Sequence, residues 1–130
     1  MRALIRIIWC GFLSWLIPFL IAIPFYSPAG DLLVDQDLFK SIMIITGALV
    51  GSVLMVHLFK IRRYPFLKTG ILIGCIWLFI NWIIDLLILL PLMNYDLTAY
   101  MSQIGLRYFI IPIMAIMSGY IARNTAREYV

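Results

Sequence analysis

Two ionisable residues stand inside apolar runs of this chain, and each has an amide one helical turn away. Asp85 follows Asn81, and Arg107 follows Gln103. A charge in the middle of such a run is costly, about +2.5 to +3.5 kcal/mol by insertion scales, so both residues need partners. The i, i+4 spacing puts Asn81 and Asp85 on one helix face and Gln103 and Arg107 on another. The planar guanidinium can take a carboxylate through two bonds, with the amides filling the remaining hydrogen-bond sites and Tyr108 within reach. Two chemistries fit that set. In the first, an Asp85–Arg107 ion pair locks two helices together. In the second, Asn81, Asp85, Gln103, Arg107 and Tyr108 line a small wet cavity that binds an ion, a head group or a proton. The lock is the leading expectation, because Arg107 stands near enough to a helix end for its charge to snorkel outward.

Turnover by this set is not expected. Asp85 alone cannot act as both acid and base, and the chain has no Gly-x-Ser-x-Gly, no His-Glu pair and no cluster of catalytic carboxylates. The single histidine, His57, has no Asp, Glu or second His nearby, and a metal site needs further ligands at suitable spacing. Neither a metal nor a cofactor is therefore expected. Cys10 and Cys75 each sit alone in an apolar run without a Cys-x-x-Cys, which fits small buried hydrophobes.

The elements that must hold these residues follow from composition. Of 130 residues, 65% are hydrophobic and 12% charged, against about half and about a quarter in soluble domains. A small soluble fold cannot hide that much apolar surface. The excess must face lipid or protein partners, which excludes a soluble enzyme, a disordered chain and a disulfide-stapled secreted domain. Four segments, 4–26, 40–59, 69–91 and 102–122, reach the length of about 20 mostly apolar residues that a bilayer core requires. They predict one all-α integral membrane four-helix bundle over residues 1–130, with loops too short for any soluble domain. A short loop between the third and fourth spans would set Asp85 and Arg107 side by side, each about 8–9 Å below the same boundary at about 1.5 Å per residue.

The net charge of +4 is not the footprint of nucleic-acid binding, because no basic patch is mixed with exposed aromatics. The cations sit at the ends of apolar runs instead. Arg2 and Arg6 precede the first span, Lys60, Arg62, Arg63 and Lys68 surround the middle loop, and Arg123 and Arg127 follow the last span. Asp31, Asp35, Asp37 and Asp96 fall in the other loops, with Lys40 the lone cation near them. The positive-inside rule then places both termini and the middle loop of this four-span chain in the cytoplasm. Tyr26, Tyr95 and Tyr100 would mark one interface, and Trp9, Tyr64 and Tyr129 the other. Ser27-Pro28-Ala29 imitates a signal-peptide cleavage site, but the preceding apolar stretch is too long for a signal, so an uncleaved helix is expected.

Laid so that Trp15 faces Trp82, the first and third spans also bring Pro24 onto Pro91; the second and fourth bring Ser52 onto Ser118. That pattern predicts two tandem helical hairpins, a 2+2 repeat related by an axis along the membrane normal. Gly47 and Gly51, like Gly70 and Gly74, form G-x-x-x-G stripes that let helices approach closely, within one chain or between two. Gly70, Gly74, Trp77, Asn81 and Asp85 share one face, which predicts that the third helix is the interior one.

The segment Asn81-Trp82-Ile83-Ile84-Asp85, then Pro91, then Ile104-Gly105-Leu106-Arg107-Tyr108, resembles a pattern of uncharacterised small four-span prokaryotic integral membrane proteins. The resemblance covers the second half of the chain and implies the fold but no activity. The leading expectation is a structural or accessory subunit of the lipid bilayer, held by the Asp85–Arg107 pair and acting through contacts with a second copy or another membrane protein. The alternative is a small oligomeric transporter or channel with an outward-facing site at Asn81, Asp85, Gln103 and Arg107. An intramembrane or lipid-modifying enzyme ranks below both, since no acid–base pair is visible.

Overall fold

A computed structural model describes residues 2–61, 65–94 and 96–128, and every regular element among them is helical. Helix α1 (Arg2–Ala22) runs into a 3₁₀ turn (Ile23–Phe25), and α2 covers Gln36–Ile61. Helix α3 (Phe66–Ile84) continues through a π-helical turn (Asp85–Leu89) into α4 (Leu90–Met93). The short α5 (Leu97–Gln103) is followed by a 3₁₀ segment (Gly105–Phe109) and by α6 (Ile110–Glu128). Four stretches are long and apolar enough to cross a membrane: Arg2–Phe25, Gln36–Lys60, Phe66–Met93 and Gly105–Arg127. Each overlaps one of the four apolar segments picked out in the sequence, with bounds shifted by a few residues. Of the residues used above for charge bias and interface marking, Arg62, Arg63, Tyr64, Tyr95 and Tyr129 lie outside the described residues.

Local chemistry sets the element ends. Asp35 caps α2 by accepting from the backbone N–H groups of Asp37 and Leu38 at 3.0 and 3.2 Å, and Asp96 caps α5 by accepting from Ala99 N–H at 2.7 Å. Two of the acidic loop residues are thus helix caps. Helix α4 ends where Asn94 turns left-handed, at φ 51°. Pro91 has no N–H to donate one turn back, and its ring crowds the carbonyl of Leu87. The wider π turn immediately before it takes up that mismatch.

Neither the third nor the fourth apolar segment of the sequence is one regular α-helix. The third widens at Asp85. The expected fourth segment, 102–122, begins in the last residues of α5, leaves helical geometry at Ile104 (φ −129°, ψ −54°) and tightens into the 3₁₀ segment before α6 begins.

Helix α3 is central, packed most extensively on α6 and next on α1; α2 leans on α1 and touches α6 more lightly. Ile7, Cys10, Met55, Leu58, Ile73 and Trp77 form the apolar core between them. The α3–α6 contact is backbone against backbone. A Cβ on Gly70 would strike the carbonyl oxygen of Ala115, and one on Gly74 would lie 2.7 Å from Pro112 Cα. Gly47 and Gly51 differ: a Cβ on either would meet nothing within 4 Å, so this second stripe makes no contact inside the chain. The outer surface is apolar, with Val53 68% and Leu87 72% exposed, while Asn81 and Asp85 are buried. Polar inside and apolar outside suits a hydrocarbon surrounding.

Candidate functional site

Asp85 opens the π turn on the interior face of the third span, and its side chain is 0% exposed. A carboxyl group buried without hydrogen bonds would cost several kcal/mol or more. Here both oxygens are occupied. Trp15 Nε1 donates to Oδ1 at 2.6 Å, and the Tyr100 hydroxyl donates to Oδ2 at 2.9 Å. The Tyr108 hydroxyl faces the same group. The donors come from α1, α5 and the 3₁₀ segment, so one carboxyl ties three parts of the chain to α3.

One turn deeper, Asn81 repeats the arrangement. Its Nδ2 donates to the Trp77 carbonyl at 2.8 Å and to Ser14 Oγ at 3.2 Å, and the Ser14 hydroxyl donates to the Gly11 carbonyl at 2.7 Å. Deeper still, Trp77 Nε1 donates to the Ile7 carbonyl at 2.9 Å. Helices α1 and α3 are therefore joined by polar contacts at three successive levels. Gly11 permits the approach, since a Cβ there would sit 2.7 Å from Trp77 Cδ1.

The chain break after α5 is what delivers Tyr100. A Cβ on Gly105 would come within 3.1 Å of Tyr100 Cε1, so a residue without a side chain lets the backbone fold over the ring. Trp82 Nε1 donates to the Gly105 carbonyl at 3.0 Å and braces the break from α3. Tyr100 is buried in the bundle, 1% exposed. Burial first, and the adjacent Asp85 carboxyl second, raise its phenol above the ordinary value, so it stays a donor at neutral pH.

Of the five residues expected at the site, Asp85 and Tyr108 meet, and Asn81 lies one turn deeper on the same helix face with partners of its own. Arg107 does not meet Asp85. Its side chain is exposed, and the partners of the Asp85 carboxyl are Trp15, Tyr100 and Tyr108, so the expected Asp85–Arg107 pair is not formed. The cause is the break at Ile104. Gln103 ends one helix and Arg107 lies in a 3₁₀ segment, so the two no longer share a helix face. Gln103 is half-buried and joins no bond to Asp85. Sequence reasoning missed Trp15, Ser14 and Tyr100. One signal was available: a tryptophan deep in an apolar span carries an N–H that wants an acceptor. Arg107→Gln is accordingly expected to change folding stability by no more than about 0.5 kcal/mol, as surface substitutions do, read by unfolding in lipid nanodiscs.

Chemically, the site holds one carboxyl among donors. Among the described residues, no three of His, Cys, Asp and Glu converge on a point where a metal ion could sit. Cys10 is buried in the core, whereas Cys75 and His57 are exposed. In comparisons with known proteins, no family model, no curated protein and no solved structure matches the chain.

Proposed function

We propose that this chain is a small polytopic protein of the prokaryotic cytoplasmic membrane that serves as an accessory or interaction subunit, through helix contacts with a second copy or a larger membrane protein. The observation that carries this reading is the enclosure of Asp85. The carboxyl that would have to meet a transported ion or a substrate is 0% exposed and takes internal donors at both oxygens. Its work is internal cohesion. The outward-facing surface left for function is apolar, and Gly47 and Gly51 lie open on α2, the least buried span at 11% against 33% for the third. Small residues spaced in this way favour close helix contacts in lipid. On this reading the bundle is two tandem hairpins, α1 with α2 and α3 with α6. Both termini face the cytoplasm, as the cations Arg2, Arg6, Lys60, Lys68, Arg123 and Arg127 at one end favour.

Crosslinking in native membranes tests it. The wild-type chain is expected to give adducts of a dimer or of a larger partner. Gly47→Leu/Gly51→Leu should lose those adducts while its own folding stability stays within about 1 kcal/mol, the scale of a helix-propensity change. Monomer alone, in wild type and variant alike, contradicts the proposal.

One observation favours the transporter reading. The π turn begins at the buried carboxyl itself, and π turns inside helices are frequent at functional sites. On that alternative, Asp85 is unmasked during a cycle, and ion or proton flux in liposomes falls in Asp85→Asn. Flux equal in wild type and variant removes it.

A further inference from the structure

At the end of the bundle opposite Asp85, the start of α1, the start of α3 and the end of α2 do not close on one another. They leave a cleft of about 310 Å³, at the lower end of ligand-pocket sizes. Its floor is Ile7, Leu58 and Ile73, all at most 4% exposed, with Thr69 beside them. Its rim is Arg2 and Arg6, one helical turn apart on α1 and both exposed. Thr69 spends its hydroxyl on the Pro65 carbonyl at 2.9 Å, so the rim guanidinium groups are the free donors of the cleft. No hydrogen bond or ion pair with a described residue claims either guanidinium. Of the six acidic residues, Asp31, Asp35, Asp37 and Asp96 lie in the opposite loops and Asp85 is enclosed in the bundle, while Glu128 ends α6 at the same end as the cleft.

We propose that this cleft holds an anionic glycerophospholipid. The phosphodiester of its head group lies between Arg2 and Arg6, and the first methylenes of an acyl chain lie on Ile7, Leu58 and Ile73. The charge complementarity is direct, since guanidinium forks match phosphate oxygens through paired bonds. An apolar floor beneath a basic rim at the level of the helix ends is the arrangement that separates an amphiphile from a free anion. Basic pockets between spanning helices are a recurring way of holding anionic head groups. This site is independent of the accessory reading above and stands or falls by itself.

Titration of phosphatidylglycerol into the purified full chain in neutral detergent, with bound lipid counted by native mass spectrometry, tests the proposal. One lipid is expected to be retained, with phosphatidylcholine bound at least about tenfold more weakly. A charge-assisted bond removed from one arginine corresponds to about tenfold or more in affinity. Arg2→Gln/Arg6→Gln should therefore weaken binding by at least that factor. Ala3→Phe keeps both charges but fills the cleft that Ala3 helps to line, and should weaken it comparably. Lys60→Gln, a cation at the same end but outside this cleft, should change it by no more than about twofold, the small effect of a remote screened charge. Unchanged melting of all variants in phosphatidylcholine nanodiscs shows that loss of lipid is not loss of fold. Three results overturn the proposal. Equal weakening by Lys60→Gln means a diffuse basic surface. Wild-type binding by Ala3→Phe means that the cleft is not the site. Displacement of the lipid by millimolar inorganic phosphate means a free-anion site.

Discussion

Asp85→Leu is expected to lower folding stability by about 2–4 kcal/mol, measured as unfolding of the full chain in lipid nanodiscs. Leucine has the same branched skeleton but bulkier methyl ends, so no cavity is left and the loss comes from unpaired polar groups with some crowding. Trp15 Nε1–H and the Tyr100 hydroxyl, which donate at 2.6 and 2.9 Å, are left without their acceptor. Each buried orphaned donor costs about 1–3 kcal/mol, toward the lower end in membranes, where the unfolded helices also find partners. A second contribution has the same sign. In separated helices Asp85 faces hydrocarbon, and assembly relieves that cost by supplying donors; leucine has nothing to relieve. Asp85→Asn keeps one acceptor oxygen and should lose less. Trp15→Phe and Tyr100→Phe each remove one donor and are expected to cost about 1–2 kcal/mol.

Gly70→Leu is expected to be as damaging, about 3 kcal/mol or more, by a different mechanism. The new Cβ would strike the carbonyl oxygen of Ala115, and Gly119 Cα lies 3.4 Å from the same point. Both obstacles are backbone and cannot rotate away, so α3 and α6 must separate along their most extensive contact. Overpacking of this kind costs about 1–3 kcal/mol. The weaker van der Waals attraction between the parted helices adds to that, since packing drives helix association in lipid. The same unfolding measurement, set beside Gly47→Leu, reads the contrast. Gly47 meets nothing within 4 Å, and its variant should melt close to wild type in the isolated chain.

The span count was legible because it depends on run length, and each of the four apolar runs is long enough in its own right. The interior face of α3 was legible too, because Gly70, Gly74, Trp77, Asn81 and Asp85 keep helical spacing and all of them are buried. The partner of Asp85 was not. Opposite charges at matched depth on successive spans point to each other only if both helices are regular, and the expected fourth segment is broken at Ile104. Nothing polar marks that break. It depends on Gly105 fitting over the Tyr100 ring and on Trp82 holding the Gly105 carbonyl, both of which are contacts between segments. The true donors were hidden for another reason. Tryptophan and tyrosine count as apolar in composition and periodicity, while each carries a polar hydrogen that must be paired when buried. The two G-x-x-x-G stripes show the same limit. Gly47–Gly51 and Gly70–Gly74 are alike as sequence, and only the packing tells which one faces a neighbouring helix of the same chain.

The most direct measurement is a pair of double-mutant cycles on unfolding in lipid nanodiscs, Trp15→Phe with Asp85→Leu and Arg107→Gln with Asp85→Leu, since leucine leaves no acceptor. Residues in one hydrogen-bond network couple by about 0.5–3 kcal/mol, whereas independent sites add within about 0.5 kcal/mol. A bond of 2.6 Å between Trp15 and Asp85, with Arg107 exposed, implies coupling of about 1–2 kcal/mol in the first cycle and additivity in the second. Coupling confined to the Arg107 cycle, with Trp15 additive, would contradict the internal Trp15–Asp85–Tyr100 lock and restore the ion pair in its place.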